Sequence, residues 1–300
     1  MMNTDLWPRA WAALQALTAH YGPAIDHAAE GAGIPFGEWY GWLMAARIFE
    51  PDPISAPRLQ RRSAYTSLTR LEEQLARGLR LGLLERVAAG EYRLIQPGHA
   101  AVQRLIDTAY AAMTPLRPLP EADLARLADL LGRLVEACLA APEPPDKWGL
   151  RTARHYDPGA DAPVMVRLDQ YLSDLNAYRD DAHLAAWQPY RVSGQAWEAF
   201  TFLWRGAATT LDELHARLLH RGYAREAYAA ALDELVERDW IAQDGETWQL
   251  TAAGRAVREQ AEEATDRYFY AAWACLSETE TAELRDLLIR FREGLDKLRA

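Results

Sequence analysis

Apolar residues recur along most of this chain with a helical period, and alternate with polar ones in only a few short runs. Trp7, Trp11, Leu14 and Leu17 predict one apolar helix face over Leu6 to Tyr21, which Gly22-Pro23 is expected to interrupt. Trp39 to Met44 leads a second helix, stopped by the prolines of Glu50-Pro51-Asp52-Pro53. Ser55 to Arg62 and Tyr65 to Arg80 predict a helix pair. Leu83 to Arg86 and Tyr92 to Ile95 predict two strands around an Ala88-Ala89-Gly90 turn. A long helix opens at Pro97-Gly98 through Val102, Leu105, Ile106, Ala109 and Met113. After Pro118-Leu119-Pro120, Leu124, Leu127, Leu130, Leu131, Leu134 and Val135 form a further stripe.

The same order then returns. Met165, Leu168, Tyr171, Leu172 and Leu175 share a helix face. Leu211 to Leu219 is amphipathic, His220-Arg221-Gly222 reads as a turn, and Ala224 to Glu237 is a second helix. Trp240 to Gln243 and Thr247 to Leu250 flank Asp244-Gly245, a hairpin signal expected to have positive φ at both residues. Thr251 to Arg255 opens a long helix, and Ser277 to Glu280 is a capping box for the last one. Gly98 and Gly254 lie 156 residues apart (254 − 98), Leu83 and Trp240 157 (240 − 83), and Leu127 and Leu284 157 (284 − 127). Leu130, Leu131 and Leu134 fall on Leu287, Leu288 and Phe291 at that same offset. A nearly constant offset predicts an internal duplication. The expected division is a first domain at 1–140, a proline-rich linker at 141–160 and a second domain at 161–300.

Helix, turn, helix and two-stranded ribbon is the order of a winged helix-turn-helix, which lays its second helix in a DNA major groove. The segment LTAAGRAVREQAEEATDRYFYAAWACLSETETAELRDLLIRF resembles the end of the MarR family of winged-helix regulators, where Leu-Thr-x-x-Gly-Arg follows the wing and two helices carry the dimer interface. That resemblance implies homodimers with interlocked terminal helices and one reading head per subunit. With the duplication, it implies both subunits fused in one chain. The expected fold is mainly α with short β-hairpin wings: two tandem winged helix-turn-helix domains forming a pseudo-two-fold, dimer-like monomer. The implied function is a DNA-binding transcriptional regulator. MarR wings usually carry Asp-x-Arg before a longer hairpin; the loops here, Arg86 to Tyr92 and Gln243 to Trp248, depart from that pattern.

Charge separates the two heads. The formal net charge of −10 argues against wholesale coating of nucleic acid. From Pro53 to Arg86, seven arginines against three glutamates give +4. From Thr210 to Gln243, four arginines against seven acids give −3. Phosphate contacts supply much of the affinity of such modules, so double-stranded DNA is expected on the first head. Arg58, Arg61, Arg62, Ser63, Tyr65, Thr66, Ser67 and Arg70 surround the start of its recognition helix, the end that reaches base edges. The alternative for these arginines is a solvated helix surface, partly paired with Glu72 or Glu73.

The eleven tryptophans cluster. His183, Trp187, Tyr190, Trp197 and Trp204, with Tyr268 and Trp273, are candidates for a pocket taking a small aromatic ligand, which MarR-type proteins bind between head and dimerisation helices. The same rings suit a core, or a seam between the two halves. There is no phosphate loop and no nucleophile elbow, and the seven histidines are scattered, so neither an enzyme nor a cofactor or metal site is expected. Cys138 and Cys275 read as small core residues in a reducing compartment. No apolar run approaches the roughly 20 residues of a membrane helix. Met1 to Leu6 lacks a basic start and an apolar signal core, so a cytoplasmic location is expected. The rival function is a winged-helix protein that has lost DNA binding and serves as a ligand-binding or protein-interaction module.

Overall fold

The computed structural model describes residues 5–299; the part of the export reading that rests on residues 1–4 lies outside them. In chain order come α1 (Leu6–Gly31), a π-helical turn at Trp39–Met44, α2 (Ala45–Phe49), α3 (Ala56–Arg62), α4 (Leu68–Arg80), β1 (Leu84–Ala88), β2 (Glu91–Leu94), α5 (Gln96–Met113) and α6 (Glu121–Ala140). Then follow α7 (Trp148–Ala153), α8 (Val164–Trp187), α9 (Gly194–Trp204), α10 (Leu211–Leu218), α11 (Arg225–Glu237), β3 (Ile241–Asp244), β4 (Thr247–Leu250), α12 (Ala252–Ala271) and α13 (Glu278–Arg299). The described residues are thus mainly helical, with two small antiparallel hairpins. Among them no helix is long and apolar enough to cross a membrane.

Hydroxyl caps set the helix starts that the sequence signals. Ser55, Ser67 and Ser193 each accept a backbone N–H of the helix that follows. Thr210 with Glu213, and Ser277 with Glu280, close full capping boxes. Two local expectations need correction. α1 runs through Gly22-Pro23 to Gly31. Pro23 costs about 3 kcal/mol inside a helix, but Ile25 and Ala29 beyond it are buried, and α1 packs along α5 and α13. In the second hairpin Asp244 pairs with Thr247, so the loop is Gly245-Glu246 and only Gly245 has positive φ (61°). That is the II′ pattern, with glycine at the first central position.

By packing, the chain forms two compact units, and neither is a consecutive half. One comprises 1–39, 96–185 and 265–300; the other comprises 40–95 and 186–264. The packing units do not follow the boundary expected at 141–160: the leucine stripes are buried among helices drawn from both sides of it. That linker also holds α7, whose Gly149 and Leu150 N–H groups donate to the Asp181 carboxylate at 2.7 and 2.8 Å.

In the first unit, the buried faces of α6 and α13 carry Leu124, Leu127, Leu131 and Leu134, and Leu284, Leu287, Leu288 and Phe291. Arginine–carboxylate pairs join the same two helices. Arg126 meets Glu283 at 2.8 Å, Arg133 meets Glu280 at 2.5 Å, and Arg290 meets Asp123 at 2.6 Å. The Arg133 guanidinium and the Ser277 amide together hold the Glu280 carboxyl down at about 2. A depressed folded-state pKa contributes stability above the unfolded value, lost as pH falls through the folded one. Glu280→Gln is therefore expected to be less stable than the parent at pH 7. The gap should close as pH falls from about 4.3 toward 2, checked by denaturant midpoints across that range. A gap independent of pH would mean the carboxylate charge is not what matters.

One cysteine departs from expectation. Cys138 is buried in α6, but Cys275 is exposed in the short turn before α13.

Candidate nucleic-acid interface

The second unit contains both helix-turn-helix segments. In the first, α3 ends at Ser63, the chain turns through Ala64-Tyr65, and Ser67 caps α4. In the second, α10 passes through a 3-10 turn at Leu219–Arg221 into Gly222, whose φ of 76° makes the bend before α11. Each is followed by its wing. Ser55 and Thr210, the caps of α3 and α10, lie 155 residues apart (210 − 55); the caps of α4 and α11, Ser67 and Ala224, lie 157 apart (224 − 67).

The eight residues predicted to face DNA do not form one exposed surface. Arg61 is exposed at the end of α3. Arg58 is half-buried; its Nη1 donates to the Pro53 carbonyl at 2.6 Å and lies 3.5 Å from Asp52. Arg62 donates to the Tyr40 hydroxyl at 2.5 Å and lies 4.6 Å from the centre of that ring, a packing role. Ser63 closes α3, and its carbonyl accepts the Thr66 N–H at 2.9 Å. Tyr65 stacks on Trp187 at 6.0 Å, with the Arg221 guanidinium 5.6 Å from its ring centre. Thr66 and Ser67 are 8% and 6% exposed, too little to reach a base edge. The Ser67 N–H donates to the Arg221 carbonyl at 2.9 Å, and its hydroxyl donates to the Gly222 carbonyl at 2.9 Å. Arg70 is half-buried, and a Cβ on Gly222 would sit 2.5 Å from its own. The start of α4 thus rests on the turn of the second head. Sequence spacing could not reveal this, because the partners are more than 150 positions away.

The solvent side of the first head carries mixed charge. Along α4, Glu72, Glu73 and Arg80 are exposed. On the wing, exposed Arg86 and Arg93 are matched by Glu85 and Glu91, with Glu85 directly opposite Arg93. Strand alternation is the signal that marks Arg93 as outward-facing; a charge count ending at Arg86 leaves it out. In the second head three of the four arginines are engaged: Arg221 grips the Glu198 carboxylate through Nε and Nη2, Arg225 pairs with Asp212 at 2.6 Å, and Arg238 donates to the Tyr190 and Arg191 carbonyls.

The aromatic candidates divide between the units. Trp187, Tyr190, Trp197 and Trp204 belong to the second. Trp197 stacks between Trp187 and Tyr190, at 5.6 and 5.8 Å and 13° in each case. These rings fill their own space, as core rings do. Arg258 of α12, 0% exposed, lies 4.5 Å from the Trp197 ring centre and 4.9 Å from that of Trp204. His183, Tyr268 and Trp273 belong to the first unit. There Trp273 packs against Phe269 and Tyr270, and the Tyr268 carbonyl accepts the Tyr178 hydroxyl at 3.2 Å. A cleft of about 470 Å³ in that unit lies between α1 and α13, lined by Pro8, Ala12, Leu288 and Ile289 with Arg9 and Arg292 at its rim; none of the seven aromatic candidates lines it.

Comparison with curated proteins and with solved structures returns no match. A helix-turn-helix family does match, over residues 93–297, which is 205 of the 300 residues (297 − 93 + 1). The chain belongs to that helix-turn-helix family. Membership points, at a coarse level, to a DNA-binding regulator. The matched stretch runs from β2 to α13, so this family's signature holds the whole second head, whereas α3 and α4 of the first lie outside it.

Proposed function

We propose that this protein is a MarR-like transcriptional regulator in which two winged-helix subunits have been fused into one chain, and that its first head binds double-stranded DNA. The observation that carries the DNA assignment is the charge difference, +4 against −3, between two heads built from the same order of elements. Fusion frees the two copies to diverge, so one can keep phosphate-binding arginines while the other turns acidic.

The ion pairs support the fusion. At an offset of 157, Arg133 and Glu280 correspond to Arg290 and Asp123 (133 + 157, 280 − 157), and both pairs form. Arg126 corresponds to Glu283 (126 + 157), its own partner. Equivalent positions touch only at a two-fold axis. In a homodimer the same residue would meet itself there, arginine against arginine; a single chain can place opposite charges on that axis.

The test is binding of a random-sequence duplex at low and moderate salt. Arg61→Ala is the informative variant, because Arg61 is exposed while Arg62 holds Tyr40. The expected result is weaker binding of every sequence and a salt slope shallower by about 0.9, the value for one phosphate no longer neutralised. Unchanged affinity and slope would remove Arg61 from the interface.

A second reading is favoured by the burial of Thr66 and Ser67 just before α4 and by Glu72 and Glu73 on its open face. On that reading the chain no longer reads DNA and serves as a ligand-binding or protein-interaction module. It predicts no binding in either salt.

A further inference from the structure

The two heads meet turn to turn, and the contact has no slack. Ser67 is held twice, N–H to the Arg221 carbonyl and hydroxyl to the Gly222 carbonyl, both at 2.9 Å. Gly222 admits no side chain: a Cβ there would lie 2.5 Å from the Arg70 Cβ and 2.9 Å from the Ser67 Oγ. Gly194 is equally confined, since its Cβ would meet the Ala64 carbonyl oxygen at 2.2 Å. Tyr65 is clamped between Trp187 and Arg221, which Glu198 fixes from behind.

A winged-helix pair that reads two half-sites needs its recognition helices in successive major grooves, about 34 Å apart. Here Ser67, the cap of α4, is hydrogen-bonded to the Arg221-Gly222 turn that leads into α11, and Ser67 and Arg70 lie against that turn while Leu68 and Thr69 of the first turn of α4 stay exposed. We propose that this head-to-head clasp is an autoinhibitory contact: it holds the first head closed to DNA, and separation of the Ser67 to Arg221-Gly222 contact opens it. The inference rests on the DNA-binding reading above and adds its regulation. A closed population that dominates lowers apparent affinity in proportion to the open fraction.

Gly222→Asn tests it in the full-length chain. Asparagine is among the non-glycine residues that most readily adopt positive φ, so the substitution adds chiefly the Cβ wedge against Arg70 and Ser67. Gly245→Asn, at φ 61° with open space around it, is the control for backbone strain alone. Exchange of the Ser67 amide reports the contact, and a labelled random-sequence duplex at low salt reports access. Faster Ser67 exchange with binding about tenfold tighter or more in Gly222→Asn, and neither in Gly245→Asn, is the expected result. Equal DNA binding by the parent and by a Gly222→Asn protein whose Ser67 amide has opened overturns the clasp while leaving DNA binding intact. A Ser67 amide as protected in Gly222→Asn as in the parent overturns it too, since the contact would then accept a side chain it has no room for. If the amide opens and no form binds DNA, the DNA reading itself falls, and the clasp's role with it.

Discussion

Replacing Arg258 with alanine is expected to cost the second unit about 2–5 kcal/mol, the range for truncating a large buried side chain and leaving a cavity. The guanidinium is fully buried between the Trp197 and Trp204 rings and donates through Nη2 to Glu262 at 2.5 Å. Its Nε and Nη1 have no hydrogen-bond acceptor among the described residues. Burial accordingly lowers its pKa from the usual arginine value, against the opposing pull of Glu262. The charge is therefore held more by indole faces than by hydrogen bonds, and a desolvated cation over an aromatic ring gains about 2 kcal/mol or more. Arg258→Met separates packing from charge. Methionine fills a similar volume, and Glu262, 28% exposed, stays hydrated without its partner. Met is expected to stay within about 1 kcal/mol of the parent, as hydrophobic replacements of buried ion pairs often do. Denaturant midpoints of the three proteins decide the matter. A methionine variant as weak as the alanine one would assign the stability to the cation–indole contacts themselves.

Gly254→Ala is the second large effect expected, at about 3 kcal/mol or more from overpacking against rigid atoms. A Cβ at that position would lie 1.9 Å from the Trp240 carbonyl oxygen and 2.7 Å from its carbon. Those atoms are backbone, and they cannot move cheaply, because the Thr251 N–H donates to the same carbonyl at 3.1 Å and the Trp240 ring stacks on Phe200 at 5.3 Å. Thr251 also accepts the Gly254 N–H at 3.0 Å while donating to the Asp239 carbonyl. This explains the Leu-Thr-x-x-Gly-Arg spacing in this chain: threonine caps α12, and glycine three residues on lets the Trp240 backbone, just before β3, touch the helix. Gly31→Ala, with nothing within 4 Å, is the control and should stay within about 0.5 kcal/mol. Equal midpoints for the two variants would mean the junction relaxes and the close approach is not required.

What could be read along the chain was whatever depends on neighbours in sequence. Apolar spacing placed α3, α4, α10 and α11, hydroxyl residues stand at the starts of the first three, and Gly90 and Gly245 marked the hairpin tips. The recurring order of elements was legible for the same reason: it is an offset between positions, and the corresponding helix starts fall 155 and 157 apart. Charge counted per head was also available without coordinates.

The candidate site was only partly legible. Arg61 is exposed as its polar setting suggested, but Arg62 is engaged with Tyr40, and Tyr65, Thr66 and Ser67 are drawn against the second head. Nothing near them in sequence announces this, because Arg221 and Gly222 lie more than 150 positions along the chain. The aromatic belt shows the same division. Periodicity identified the rings, but whether rings line a cavity or fill it depends on how closely Trp187, Trp197 and Tyr190 stack.

Sequence alone therefore determined the elements, their twofold order and the charge of each head, since these follow from backbone preference and composition within a few residues. Tertiary structure alone decided that α1 continues past Pro23, that packing units mix the two halves, and that the cap of α4 is bonded to the turn of the second head. Each of those depends on burial and hydrogen bonding between residues far apart in the chain, energies that no local pattern encodes.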